Sequence, residues 1–548
     1  MIRAMCFFLM LCVSRLLVAQ QHEMSGSPQP ATLMTGFGDL HHPVSSSNQQ
    51  AQQFFDQGLR LIYAFNHDEA ARSFQRAAEL DPNLAMAYWG IAEAVGPNYN
   101  DPASDERFQQ AHDAIQKAVA SQAGASPVER AYIAAMAKRF PADPNADRRK
   151  AAENYRDAMR EVMQQYPDDP DAATLFAEAG MNLHPWGLWL PDGTPQEGTT
   201  EIVVALENVI RQNPNHMGAI HYYIHSVEAS SSPERALAGA NRLAALAPAA
   251  GHLVHMPAHV YIRIGDYESA VLTNEKAATA DEAYIKASGA QGMYPMMYYS
   301  HNLHFIAMCA AMNGNYAESK RAADQLSAHV SPYLKEMPPL EGFMTIPMAV
   351  DVRFHRWNDI LQMKVPDPTM RIATVFYHFT RGMALAATGN ARQAEAEYAI
   401  VSEAEKNTPE DLVFAPPVDN KAKDILKIAT DVLGAKIASA KKDNATAINL
   451  LRAAVAVEDS LKYNEPPDWF FPVRESLGAV LLTNGNATEA EIVFRDDLQR
   501  HPRNPRSLFG LQQALKSQKR DYDAQFVGNQ FQSSWKGPQD QLTLEDLV

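Results

Sequence analysis

The sequence predicts an all-α protein, a right-handed α-solenoid of paired helices, and three observations lead there. Alanine-rich amphipathic stretches dominate, and alternating β-branched runs are scarce. Apolar residues are 46% of the 548, enough to bury along an extended array that needs no single central core. A skeleton of small, aromatic and proline residues recurs every 34 residues, the period of stacked helical pairs.

The first unit shows the logic. Phe54, Gly58, Ala70, Phe74, Ala77 and Pro82 take positions 4, 8, 20, 24, 27 and 32, and Tyr88 and Ala92 reopen the pattern 34 residues after Phe54 and Gly58. Small residues at 8 and 20 let the paired helices touch, the aromatic at 24 fills the gap to the next unit, and proline at 32 ends the second helix. Ile202, Leu206, Val209 and Pro214 repeat positions 20, 24, 27 and 32, as do Ala236, Ala240, Leu243 and Pro248, then Ala270, Asn274 and Ala277. Gly265-Asp-Tyr, Gly314-Asn-Tyr, Gly389-Asn-Ala and Gly485-Asn-Ala read as turns inside later pairs, and Gly382, Gly478, Phe494 and Pro502 complete the skeleton. The array is expected over residues 45–522, stretched by insertions at Gly187 to Thr200 and Asp281 to Tyr299, with a loose tail at 523–548.

Between Phe54 and Phe509 the chain resembles exported bacterial tetratricopeptide-repeat proteins. The likeness is carried by Tyr63-Ala-Phe-Asn-His67-Asp-Glu-Ala70, Ala85-Met-Ala-Tyr-Trp-Gly90 and His184-Pro-Trp186. It continues in His221-Tyr-Tyr-Ile-His225-Ser-Val-Glu228, Gly251-His-Leu-Val-His-Met-Pro-Ala-His259 and Glu465-Pro-Pro-Asp-Trp469. The resemblance implies the solenoid fold, brings no established activity, and implies a concave groove suited to a peptide or protein partner.

The N-terminus reads as a secretory signal over residues 1–20. Arg3 precedes the apolar run Ala4 to Val13, and Leu17-Val-Ala19 offers a small residue before a cut, although Arg15 interrupts the region. This predicts a periplasmic or secreted protein, with residues 21–44 as a flexible lead-in. No later stretch approaches a membrane span, so no stable membrane insertion is expected once the signal is cut. Cleavage would remove Cys6 and Cys12 and leave Cys309 alone, so helix packing and not a disulfide must hold the fold. A net charge of −16 argues against a nucleic-acid binder.

The chemistry-bearing residues emerge from the repeat register. The tetratricopeptide resemblance implies that positions 2, 5, 9 and 12 of each first helix face the groove. With Met217, Gly251 and Ser300 as position 1 of three successive units, His221 and His225 take positions 5 and 9 of the first. His252, His255 and His259 take 2, 5 and 9 of the second, His301 and His304 take 2 and 5 of the third, and Glu228 takes position 12 of the first. Eighteen histidines in 548 residues are about 3% per position, so nine such positions should hold about 0.3 by chance, and they hold seven.

Imidazoles gathered in this way suit a transition metal (zinc, copper, iron or nickel), with Glu228 completing or orienting the site. Two other readings stay open: a metal-free polar groove for an organic molecule, peptide or partner protein, and histidines that only satisfy one another and buried carbonyls. A metal-dependent enzyme is a further possibility, but no substrate is indicated. His221-Tyr-Tyr-Ile-His225 lacks the glutamate of a zincin, and no nucleophile elbow, P-loop or dinucleotide fingerprint occurs. Cys309, at position 10, belongs to the core. His184 to Trp189 forms a lid over the groove or a loop on the surface. Pro466 to Pro472 caps two helices or stacks a ligand. His378 falls at a packing position, and His41 and His42 are expected to be solvated.

Overall fold

Phe74 shows how the repeat skeleton becomes packing. Its ring is fully buried between Gly58 of its own unit and Gly90 of the next, and a Cβ on Gly58 would lie 2.6 Å from it. Phe494 makes the same wedge between Gly478 and Gly510 near the other end of the chain. Gly265, Gly314, Gly389 and Gly485 all take the left-handed conformation, with φ between 76° and 88°, which closes the short turns within their pairs. The computed structural model describes residues 31–143, 146–415, 418–538 and 542–548, and the expected signal peptide lies outside them.

Consecutive helices pack as pairs, beginning with Gln49–Ile62 against His67–Leu80, and the protein is an all-α solenoid of stacked helix pairs. The register places the histidine units correctly: helices begin at Met217, Gly251 and Ser300. The middle one is interrupted after His255 and resumes as Pro257–Arg263, because Pro257 has no N–H to continue the ladder. The third is preceded by a π-helical turn, Tyr294–Tyr299, within the insertion that the repeat spacing marks. Among the described residues, no helix is long and apolar enough to cross a membrane.

The superhelix curls until distant parts meet. The Gly265 turn abuts the Pro502 carbonyl, to which the Tyr267 hydroxyl donates at 3.4 Å. Arg353 forms a buried ion pair with Glu475 at 3.1 Å. Residues 464–468 thereby reach the cavity that the histidine helices line.

Two expectations about the ends need correction. The tail is docked, not loose: helix Asp521–Ser534 completes the last pair, Trp535 packs on Gly314, and the Lys536 N–H donates to the Asn313 carbonyl at 2.7 Å. Leu547 is buried, and the Ser476 hydroxyl donates to its carbonyl at 2.6 Å.

The described part of the lead-in, residues 31–44, is also pinned. Ala31 and Phe37 are buried, and so is His42, which is therefore not solvated. Its Nδ1 pairs with Asp171 Oδ2 at 2.7 Å, while the Tyr63 hydroxyl donates to Asp171 Oδ1 at 2.6 Å. His216 accepts the Ala219 N–H at Nδ1, so its protonated Nε2 donates to the same oxygen at 3.1 Å. This carboxylate is saturated by side chains. His41, more exposed, pairs with Asp56 at 2.7 Å.

Burial disfavours charge on His42, but Asp171 outweighs it and raises the pKa above the ordinary 6.5. A raised folded pKa gives stabilisation that is complete below pH 6.5 and is lost as pH climbs through the higher pKa of the folded state. Hydrogen exchange in residues 31–44, corrected for intrinsic chemistry, should therefore be slower at pH 6 than at pH 8.5. His42→Ala should abolish the difference and cost about 3 kcal/mol in denaturant unfolding.

Candidate metal centre

The three histidine helices present their imidazoles to one another. His221, His225, His252, His255 and His259 are all buried, with His301 at the cavity edge beside them. Ring centroids of His221 and His252 are 4.8 Å apart, those of His225 and His259 5.4 Å, and those of His255 and His301 4.7 Å. His304 lines the same cavity one turn further on, edge-on to Phe343. Position 2 of the first unit is Gly218 and not histidine, because a Cβ there would lie 2.5 Å from the Tyr63 ring.

What defines the chemistry is the far side of each ring. His221 Nδ1–H donates to the Tyr63 carbonyl at 2.7 Å, and a carbonyl can only accept. His225 Nδ1–H donates to Glu228 Oε1 at 2.8 Å. His255 Nδ1–H donates to Asn274 Oδ1 at 2.6 Å, and the amide is oriented by its NH₂ group, which donates to the Ala270 carbonyl. His259 Nδ1 lies 2.5 Å from Glu228 Oε2, a separation that requires a proton between them although the contact is not aligned as a hydrogen bond. The proton at Nδ1 leaves neutral His221, His225 and His255 with a bare lone pair at Nε2.

The Nε2 atoms converge. His255 Nε2 and His259 Nε2 are 2.7 Å apart, and His221 Nε2 turns its lone pair to His252 Nε2 at 3.0 Å. His225 Nε2 is buried with no partner among the described residues. Two lone pairs cannot face each other at 2.7 Å without a cation between them, either a proton or a metal ion. Burial opposes charge on His259, yet Glu228 raises its pKa, so a proton on His259 fills the role when no metal is bound. Burial, with mutual repulsion, holds His221, His252, His255 and His301 well below 6.5, and burial alone pushes His304 down to about 3. The cluster therefore offers neutral nitrogens at neutral pH, the form that ligates metals. Burial acts against ionisation of Glu228, but His259 and His225 lower it to about 2.

A cavity of about 190 Å³ opens beside the rings, walled by Phe65, Met297, Tyr298, Phe343, Ile346 and Phe414. Phe65 stacks on His225 and His252 at 5.6 and 5.2 Å and meets His221 edge-on at 4.5 Å. It does so from a left-handed backbone, φ 53°, a conformation strained for a residue with a Cβ. Trp186 borders the cavity and stacks on Tyr99, and its indole N–H donates to Asn100, so the 182–198 loop covers His225 through its tryptophan. His184 is not among the lining residues. In the Pro466–Pro472 segment, Pro466, Pro467 and Asp468 line the cavity, while Trp469 packs on Phe376 and Phe379.

All eight candidate residues thus share one site, with Glu228 as an orienting carboxylate and His304 apart from the close-packed rings. Cys309 is buried in the core and His378 is tied to Glu397, both outside the cluster. Several residues escaped the sequence reading. Asn274 left a signal, a polar residue at repeat position 24, where Phe74 and Leu206 are apolar. Tyr63 acts through its backbone carbonyl, which no side-chain pattern reveals. His67, neutral with both ring nitrogens unpartnered, and Glu465, pushed up to about 7 by burial, reach the cavity only through folding.

Fold and site define a helical-repeat solenoid with an imidazole-lined inner cavity. No family model and no curated protein matches the chain. Among solved structures it is similar to a human IFIT1 dimer with PPP-AAAA (TM-score 0.33, 12% identity, 89% of this chain and 91% of that one). It is also similar to the Cut9-Hcn1 hetero-tetramer of the APC/C (0.32, 12%, 85% and 76%) and to yeast Tom70 (0.27, 11%, 89% and 93%). At these scores the architecture rests on the helix pairing described above.

Phe65→Ala should lower stability by about 3 kcal/mol, because a buried ring is lost. Phe65→Gly should lose about 1 kcal/mol less, because glycine adopts positive φ without strain. Urea unfolding of the two variants checks the order.

Proposed function

We propose that this protein binds a transition-metal ion, zinc, copper, iron or nickel, through the histidines of its inner groove. The observation that carries the reading is the convergence of Nε2 lone pairs whose tautomers are set from behind by Tyr63, Glu228 and Asn274. Histidines that merely filled a core would leave no ring nitrogen unserved, whereas His225 Nε2 is buried without a partner among the described residues and His255 turns its Nε2 lone pair toward His259. The apolar cavity against the rings gives a bound ion a sheltered face on which a small molecule would meet it. That arrangement suits metal-dependent chemistry, although no residue singles out a substrate. We further place the protein in the periplasm or outside the cell, after loss of residues 1–20, on the strength of the N-terminal pattern.

Elemental analysis of untagged protein offered each of the four ions separates this reading from a metal-free scaffold that binds a peptide or partner protein. Substoichiometric retention of all four, below about a tenth of an equivalent, would sink it; any one held near or above one equivalent after gel filtration supports it. The triple substitution of His221, His255 and His259 by alanine should abolish retention while far-UV circular dichroism stays helical. Loss of the fold instead would assign these rings to packing.

A further inference from the structure

The groove histidines are not one undivided patch. Their ring nitrogens fall into two sets of three, each within 4.8 Å: His221, His225 and His252, then His255, His259 and His301. The sets are the same pattern one repeat apart, since each joins positions 5 and 9 of one first helix to position 2 of the next. The repeat thus draws both tri-imidazole sets from equivalent positions, with the closest Nε2 pair between helices in the first and across the Pro257 break in the second. The two adjoin, with His225 5.4 Å from His259 and His252 5.7 Å from His255 between ring centroids.

Resting on the metal reading above, we infer that the cluster is a two-ion centre. One first-row transition-metal ion sits in each triad, and Glu228 couples the two sites. One oxygen of Glu228 takes the Nδ1–H of His225 in the first triad, and the other faces Nδ1 of His259 in the second. The carboxylate therefore lies behind both triads and holds one ring of each.

A single ion on His225, Glu228 and His259, whose atoms also lie within 4.8 Å, is the competing arrangement. It would displace both contacts to Glu228, would use the Nδ1 edges, and would leave the converging Nε2 atoms unserved. An ion with bonds of 2.0–2.1 Å spaces tetrahedral donors about 3.3 Å apart. The 2.7 and 3.0 Å contacts within the triads therefore need to open by about 0.6 and 0.3 Å, while the third nitrogen of each set, within 4.8 Å, closes in. Three nitrogens leave each ion at least one coordination position for water or a small anion.

The test is titration of chelator-treated, untagged full-length protein with Co(II), read by native mass spectrometry. Two ions per chain are expected. The double variant His221→Gln/His252→Gln should keep one, and so should His255→Gln/His301→Gln. Glu228→Gln should weaken the sites about 10- to 100-fold, because an amide accepts from only one imidazole and turns the other to the wrong tautomer. One ion in the wild type, or loss of all binding in both double variants, overturns the two-ion centre and leaves the metal reading standing. No ion at all overturns that reading itself. The wild-type count decides even if a variant fails to fold.

Discussion

The arrangement of this site depends on Glu228, a buried carboxylate fixed at the end of the Met217–Val227 helix between two imidazoles. A carboxylate can only accept, so each ring it faces keeps its proton on that side and turns a lone pair inward. The Tyr63 carbonyl and Asn274 impose the same direction on His221 and His255. Burying acceptors against acceptors is costly unless a cation joins them. The electrostatic consequence is that burial, helped by mutual repulsion, keeps His221, His252, His255 and His301 neutral, while Glu228 favours a proton on His259.

The solenoid supplies what the orienting groups cannot, namely repetition. Helices that begin at equivalent positions of stacked units carry positions 2, 5 and 9 into register. A histidine pair one turn apart on one helix thus meets a third ring from the next. Departures from the repeat fall where the site needs them. Gly218 gives way to the Tyr63 ring, and Gly251 lets the Asp281 carboxyl approach to 1.9 Å from where a Cβ would stand. Pro257 breaks the middle helix between its histidines, and a π-turn brings Tyr294 and Tyr298 toward the cavity.

Long-range closure then makes the groove a cavity. Tyr63 and Phe65 come from the first helical pair, Trp186 from an inserted loop, and Glu465 to Asp468 from the start of a late unit. Asp171 ties this frame to the N-terminal segment, since it holds His42 and the Tyr63 hydroxyl together while the Tyr63 carbonyl anchors His221. Ring orientation at the centre is in this way linked to a segment more than 170 residues away in sequence.

Periodicity determined the helical pairs and their register, because side-chain direction on a helix follows from spacing, and the tetratricopeptide resemblance supplied which positions, and so which seven histidines, share the inner face. The Phe74 and Phe494 wedges are likewise local consequences of glycine at position 8. Only the tertiary structure decided which nitrogen of each ring faces inward, since that depends on a backbone carbonyl 158 residues from His221 and on an asparagine from a partner helix. It also decided that residues 31–44 and the C-terminal helix with its following residues dock instead of hanging free. Their polar composition reads as solvated, while the ion pair at Asp171 and the burial of Trp535 arise from surfaces that exist only after the superhelix has closed.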